Sequence, residues 1–488
     1  MIYLRNTRRS KEGKSLSNEP VCFIVNGAID RLDCTYNNPV YVDFYKKLKE
    51  RSDTVELKQI CEVTDGNHEE TQYVDDGVPI LTMKNVQEDN IDLTHVKYIT
   101  PSFHEGRLKR SRLKPGDIVL TKLGSFNHAH VIPNGFGEAN TSAELAVIKI
   151  KSEYKNKVNP QYLSFYLSSD YTRNQTDRNA TGLTTRDRTV LTELRKIRVI
   201  LPDPPRQNLV MVKASSKLQE ALNSYSRFET TISEIKLYFD KMLNMHFGDK
   251  EKMSVFVIDG TRSMDRIDCY ANSPTYSELI SEIRQKEAEK FTFKKGVEFE
   301  LSETLGKSFL AENNLHIFRY LDIGNTNKEL GGIIGLEEDF LINLPTRARK
   351  KANIWDVLLP VPQGSSESAV IIEEETDNLL YSTGFIGMRN KSEEEALILW
   401  AALKSKIVQD QLFYLQSGSL QPGISQDDFK QKLLIPVPNE TMQEKIAQDI
   451  RRLRIEATNH LNQYRNMKQE AKEIFMKELQ AVTLSGGS

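Results

Sequence analysis

Asp203-Pro204-Pro205 could begin a loop for methylating the exocyclic amino group of a base. That chemistry extrudes the base and stacks it on an aromatic side chain, which would have to follow the second proline. Arg206 stands there instead, and the related downstream stretch reads Asn439-Glu440-Thr441. No glycine-rich cofactor loop follows a strand pattern, so the prolines read as a strand terminator ahead of a helix. Asp203 with Glu234 and Lys236 could be arranged as a metal-dependent nuclease only if the three converged on Mg²⁺. Two residues apart on a helix, Glu234 and Lys236 diverge by about 200°. His128 and His130 share a face if extended, a possible metal pair, but no third ligand accompanies them. No phosphate-binding P-loop is present. The chain reads as non-catalytic, without a metal site or a cofactor of its own.

What remains is side chains suited to double-stranded DNA. Arginine, asparagine and glutamine can read base edges, while lysine, hydroxyl and amide groups hold phosphates. Three early segments carry them: Arg107, Lys109, Arg110 and Arg112; Lys122, Ser125, Asn127 and His128; and Thr184, Thr185, Arg186 and Arg188. Later in the chain come Arg347, Arg349, Lys350 and Lys351, then Gln363 and Ser365, then Gln421. Such runs also occur as plain solvated surface. The net charge of −2 and pI near 6.5 count against a protein that lives by clinging to phosphates. Local basic loops meet that objection, because binding follows the local field rather than the chain average.

The elements that must position these residues occur twice. Asp30 to Tyr41 (DRLDCTYNNPVY) and Asp265 to Tyr276 (DRIDCYANSPTY) share seven of twelve positions at a shift of 235 residues, and an amphipathic helical stretch follows each. Val199 to Gln207 (VILPDPPRQ) aligns with Ile435 to Gln443 (IPVPNETMQ) at 236, so Pro202 meets Pro438 and Gln207 meets Gln443. Gln175 and Gly182 fall on Gln411 and Gly418, and Gly116 to Leu120 (GDIVL) parallels Trp355 to Leu359 (WDVLL) at a slightly larger shift. Order and spacing kept over so long a stretch point to a tandem duplication whose middle has diverged more than its edges.

Each copy ends in a long helical pattern. Leu218, Leu222, Tyr225, Ile232, Ile235, Phe239 and Met242 step by threes, fours and sevens. Ile446, Ile450, Leu453, Ala457, Leu461, Tyr464, Met467, Ala471 and Ile474 do the same. Such seams predict a coiled coil of helices about 35 residues and roughly 50 Å long.

Two diverged α/β modules, each closed by a proline-containing strand end, a glutamine and a long helix, resemble the specificity subunit of Type I restriction–modification systems. The residues that carry the resemblance are Arg31-Leu32-Asp33 with Pro39 and Tyr41, Arg266-Ile267-Asp268 with Pro274 and Tyr276, Gly116-Asp117-Ile118-Val119, and the two Pro-to-Gln elements. Trp355 in place of Gly116, and Glu440-Thr441 in place of Pro204-Pro205, depart from the first copy. The resemblance implies a mixed α+β fold: two target-recognition domains, each reading half of a split DNA site, separated by two antiparallel helices in a coiled coil. It implies methyltransferase subunits, two of them, and restriction or motor subunits as partners; S-adenosylmethionine, Mg²⁺ and ATP would belong to those partners. Alternatives are a partner with methyltransferase and nuclease fused in one chain, and a helical assembly scaffold that binds no DNA.

The expected boundaries are an N-terminal segment 1–29, modules 30–206 and 265–442, long helices 207–247 and 443–482, a linker 248–264 and a flexible tail 483–488. With 488 residues, 39% apolar and 27% charged, the chain is of ordinary globular composition and suits two domains. No apolar run approaches the roughly 20 residues of a membrane span, and a cytoplasmic, prokaryotic protein is expected. Cys22, Cys34, Cys61 and Cys269 lack zinc or disulfide spacing and read as reduced, buried thiols.

Overall fold

Several helices begin where a short polar residue precedes a proline or an acidic turn. Asn38 caps Pro39–Glu50 by accepting from the Val40 amide, Asn159 caps Pro160–Leu167, and Ser392 caps Glu393–Lys404. Each cap satisfies an amide that the helix itself leaves open, worth about 1 kcal/mol. The structure, a computed structural model, describes residues 36, 38–66, 68, 71–93, 96–106, 108–122, 127–179, 190–245, 272–286, 290–373, 376–418 and 422–481. The paired Arg-Asp motifs at Arg31 to Asp33 and Arg266 to Asp268 lie outside these residues.

The chain divides into two units, Met1–Glu220 with Asn466–Ser488, and Ala221–Arg465. In the first, the strands are β1 (Thr54–Glu56), β2 (Cys61–Asp65), β3 (Val78–Leu81), β4 (Lys97–Ile99), β5 (Ile118–Thr121), β6 (Ala129–Val131), β7 (Asn140–Thr141), β8 (Leu145–Ile150) and β9 (Arg198–Ile200). They form an antiparallel sheet β2-β8-β5-β6, a sheet β4-β3-β7 in which β3 and β7 are parallel, and an antiparallel pair β1-β9. All four residues of β5 are buried because both faces are covered. Ile118 and Leu120 face Tyr162, Leu163 and Tyr166 of the helix Pro160–Leu167, while Val119 joins Leu81, Leu145 and Val147 on the other face. Phe475 from the C-terminal helix completes the first cluster, with ring centroids 4.7 Å from Phe165 and 5.6 Å from Tyr162.

The strands of the second unit are β10 (Phe291–Lys295), β11 (Ile317–Leu321), β12 (Glu337–Phe340), β13 (Ala348–Lys351), β14 (Val357–Pro360), β15 (Val370–Ile371), β16 (Leu379–Ser382), β17 (Phe385–Met388), β18 (Gln416–Ser417), β19 (Gly423–Ile424) and β20 (Leu434–Pro438). The sheets are β12-β11-β16-β13, β15-β14-β17, and the pairs β10-β20 and β18-β19. Leu358, Val370, Tyr381 and Phe385 form one core, and the buried Trp400 donates its indole N–H to the Ala369 carbonyl at 2.9 Å.

The strand registers of the two units coincide at an offset that varies by a single residue. Ile80 pairs with Asn140 and Leu81 with Thr141 in parallel; 240 residues on, Tyr320 pairs with Leu380 and Leu321 with Tyr381, also in parallel. Ile118 lies between Val131 and Ile148, and Val357 lies between Ile371 and Met388. The turns into β5 and β14 match bond for bond. Gly116 N–H donates to Ile132 O (2.9 Å) and Trp355 N–H to Ile372 O (2.8 Å). Ile132 N–H returns to Asp117 O (2.8 Å) and Ile372 N–H to Asp356 O (2.9 Å). Gly116 has φ +88° and Trp355 φ +67°, so both turns use the left-handed region.

Two long helices run over Pro204–Lys236 and Glu440–Ala481. Within the first unit Lys213 bonds Glu478 (2.6 Å) and Lys217 meets Glu470 (3.3 Å). Within the second, the Tyr225 and Tyr464 rings lie 5.0 Å apart and the Tyr238 hydroxyl donates to Asp449 (2.8 Å). Numbers rise on one helix as they fall on the other, so each unit holds an antiparallel helical pair. The seam differs in part from the expected one. Ala214, Ala221, Phe228 and Ile235 fill the buried heptad positions of the first helix, whereas Leu222 and Met242 are exposed. On the second, Phe475 and Leu479 are buried and Ile474 is only half-buried. Small alanines take the seam because they let the helix axes approach.

Candidate nucleic-acid interface

The two early-module and late-module basic runs occupy the same place in their units. Each enters the turn before β5 or β14: Leu113 N–H donates to Ala139 O (3.0 Å) and Ala352 N–H to Leu379 O (3.0 Å). Each is tied from behind by a cation, Lys149 on β8 in the first unit and Arg389 just past β17 in the second. Lys149 Nζ donates to Arg112 O at 2.7 Å and sits 3.7 Å from Asp117; the Arg389 guanidinium donates to Lys351 O at 3.2 Å and pairs with Asp356 at 2.5 Å. Burial pushes the carboxyls of Asp117 and Asp356 above their usual range, against the pull of those cations. Lys149 and Arg389 are positioning residues that the sequence reading missed; their acidic partners lay in the GDIVL and WDVLL motifs already in view.

In the first unit the run divides. Lys109 is exposed, and Arg110 is largely so, reaching the Gly66 carbonyl at 3.4 Å and Asp65 at 3.5 Å. Arg112 is half-buried and donates to the His104 carbonyl. Lys122, expected as a DNA-facing side chain, is instead 2% exposed, its ammonium bonded to Asp65 at 2.6 Å. Lys122 follows directly on β5, a strand covered on both faces, and a buried cation needs a buried anion. Burial opposes the ionisation of Asp65, but Lys122 by hydrogen bond and charge, with His68 at 2.9 Å, outweighs it and holds the carboxyl below its usual range.

Asn127 is also buried, at φ +69°, with its amide nitrogen unpartnered. His128 is half-buried, its backbone amide held by the Thr121 hydroxyl. His130 gives its Nε2–H to the Gln87 carbonyl at 2.8 Å, which takes that nitrogen from any metal. Among the described residues no group of three His, Cys, Asp or Glu side chains could hold a metal ion. Arg107, Ser125, Thr184, Thr185, Arg186 and Arg188 lie outside the described residues, as does Gln421.

In the second unit a β-bulge between Ala348 and Lys350 breaks the pairing of β13 with β16. Bulges re-aim side chains at strand edges. Arg347 stays exposed and donates to Asp322 at 2.8 Å; Arg349 donates to the Thr346 carbonyl and Lys351 is exposed. Lys350 departs from expectation as Lys122 does: it is 3% exposed, with its ammonium on the Phe385 carbonyl at 2.9 Å, and burial pulls it below the ordinary lysine range. Gln363 and Ser365 sit on the loop after β14, where Gly364 takes φ +76°. That loop and Arg347 flank one turn: Thr383 N–H donates to Arg347 O and Val361 N–H to Gly384 O. Acidic and hydroxyl partners such as Asp65, Asp322 and Ser382 carried no linear signal, since each meets its partner only through space.

No helix among the described residues is long and apolar enough to cross a membrane. No protein-family model matches the chain, and no curated protein matches it. Three solved structures are similar to it in layout. One is the S subunit of a Type I restriction–modification system from M. genitalium, at 12% identity and TM-score 0.37, covering 87% of this chain and 95% of that one. A second, described as the structural basis of complex assembly and conformational transition of the type I R-M system, gives 14% identity, TM-score 0.40 and coverage of 87% and 97%. The third is an HsdS subunit from Thermoanaerobacter tengcongensis, at 13% identity and TM-score 0.31, covering 87% and 96%.

Proposed function

We propose that this chain is a DNA-sequence-reading subunit of the Type I restriction–modification kind, formed by tandem duplication of one module, each copy reading half of a bipartite site. The observation that carries the reading is the doubled register: strands, turns and basic runs recur in the same order at nearly the same offset, yet the side chains set on them differ. Asp322 stands where the first unit has Thr82, and Tyr320 where it has Ile80. Two equal frames bearing unequal polar edges are what a protein needs to read two different short sequences.

On this reading the chain does no chemistry. Methylation, with S-adenosylmethionine, and cleavage, with Mg²⁺ and ATP, belong to partner subunits. The long helices, paired as a coiled coil, serve as the docking and spacing element that the family resemblance implies. Exposed cations such as Lys109, Arg110 and Lys351 supply sequence-independent phosphate affinity, and the polar groups beside them supply selectivity.

The test is methylome sequencing of cells expressing a methyltransferase subunit with and without this chain. A split motif of two short half-sites around a fixed gap, seen only when the chain is present, is the expected result. Methylation that is the same in both strains overturns the reading.

A further inference from the structure

Arg347 is placed as a reader more than as a phosphate clamp. Its backbone is pinned where the Thr383 amide donates to its carbonyl at 2.9 Å, one residue before the bulged strand β13 begins. Its side chain remains 55% exposed, yet one guanidinium nitrogen is fixed on Asp322 Oδ2 at 2.8 Å. A surface ion pair of this sort adds about 0–1 kcal/mol to stability, so fold energetics do not account for it. What it does achieve is orientation: an arginine otherwise free to rotate is held with its planar fork facing solvent, and the loss of rotamer freedom on binding is reduced.

Two buried oxygens of this cluster lack a hydrogen bond of normal geometry. The second carboxylate oxygen of Asp322 and the hydroxyl of Tyr320 are buried and make no hydrogen bond of normal geometry, although Ser382 and Arg347 face that hydroxyl. Tyr320 is 1% exposed. Buried polar atoms left open cost about 1–3 kcal/mol each, and a fold retains them where a ligand or a preorganised charge needs them. The counterpart positions in the first unit, Ile80 and Thr82, carry neither the phenol nor the carboxylate, and Thr82 is engaged locally with Asn85 at 2.9 Å. The device belongs to one module only.

We propose that Arg347, oriented by Asp322, donates in bidentate fashion to the O6 and N7 edge of a guanine in the half-site read by the second module. Arg347 is the base-contacting residue and Asp322 a positioning residue. The inference rests on the proposed function and deepens it, by assigning one base of one half-site to one side chain. A guanidinium held in plane matches the paired acceptors of guanine in the major groove, whereas adenine presents a donor at the corresponding position.

The experiment compares methylomes of cells expressing the same methyltransferase with the full-length wild-type chain, Arg347→Gln or Asp322→Asn. The wild type is expected to give a split motif with an invariant G·C pair at one position of one half-site. Arg347→Gln should lower the preference at that pair about tenfold or more, and Asp322→Asn by a smaller factor at the same pair. The other half-site should stay intact, which also reports that the variant is folded and assembled. A wild-type split motif left unchanged in Arg347→Gln overturns the guanine assignment while the specificity reading stands. So does a uniform drop in methylation across all sites, the signature of a phosphate contact. Absence of a split motif in the wild type overturns both.

Discussion

Gln175 grips Arg198 at both ends of its backbone: the Arg198 N–H donates to the glutamine carbonyl at 2.8 Å, and the glutamine amide donates to the Arg198 carbonyl at 3.0 Å. Gln411 does the same to Leu434, at 2.9 Å for both bonds, and each glutamine also donates to the carbonyl four residues before it. Both are buried and both hold the first residue of the last strand of their unit, β9 or β20. Replacing either by alanine strips the backbone N–H of its side-chain acceptor and the carbonyl of its side-chain donor, although the Tyr166 hydroxyl still reaches the Arg198 carbonyl at 3.0 Å; a loss of about 1–3 kcal/mol is expected. Amide hydrogen exchange is the measurement. Gln175→Ala should speed exchange across Arg198–Ile200 and Gln411→Ala across Leu434–Pro438; unchanged protection in both would remove the clamp's structural role.

Lys122 and Asp65 form a buried pair, so Lys122→Met is expected to leave the carboxylate with only the more exposed His68 and Arg110 as partners and to destabilise by up to roughly 3–5 kcal/mol. Arg110→Ala, at a side chain 60% exposed, should cost well under 1 kcal/mol. Urea midpoints for the two variants decide it. Equal effects would mean that the pair is not the anchor of this site.

Two glycines separate backbone strain from steric clash. Gly116→Ala keeps open space around the new methyl but places it at φ +88°, so a loss of about 1 kcal/mol is expected. Gly331 has φ +68°, and a Cβ there would lie 2.0 Å from the Trp400 indole nitrogen. Gly331→Ala should cost more than twice as much and blue- or red-shift the tryptophan emission, since the ring must move. An emission spectrum identical to wild type would contradict the packing.

Acid should loosen the first unit at a definite group. Burial alone would raise the carboxyl of Glu88, but the charges of Lys468 at 2.9 Å and Lys472 at 3.2 Å outweigh it and hold the carboxyl at about 2. A carboxyl depressed on folding stabilises above its unfolded value and loses that contribution as pH falls through the folded one. The stability advantage of wild type over Glu88→Gln should therefore be full above about pH 4.5 and vanish towards pH 2. Denaturant midpoints of both chains across that range test it; a difference independent of pH would show that Glu88 acts through packing.

Cys61 is buried, and burial pushes its thiol up to about 12. The thiolate is the reactive form. Iodoacetamide at pH 8 should leave the Cys61 peptide unmodified in the native chain and alkylate it in urea, as read by peptide mass mapping. Native labelling at the unfolded rate would contradict its burial.

The recurrence of motifs was legible in the linear sequence by itself, because identities at closely similar offsets need no folding to be seen. Pro202 and Pro438, Gln175 and Gln411, Asp117 and Asp356 were all visible as pairs, and the structure gives each pair the same bonds. The periodicity of the long helices was legible too, since a packed face recurs every three or four residues. The sorting of cations was not. Lys122, in a polar loop segment, and Lys350, in a basic run, look like solvent-facing lysines, but a strand covered on both faces and a bulge turn them inward to an aspartate 57 residues away and a carbonyl 35 residues away. Ala457 and Ala471 were read into the second helix's seam and are buried there, but Ala214 and Ala221 of the first helix were hidden, because a small side chain carries little hydrophobic signal and only the approach of a second helix gives it a place. Local pattern determines which elements form. Which side chains are spent inside and which are left to face a ligand depends on partners distant in the chain, and tertiary structure alone decides that.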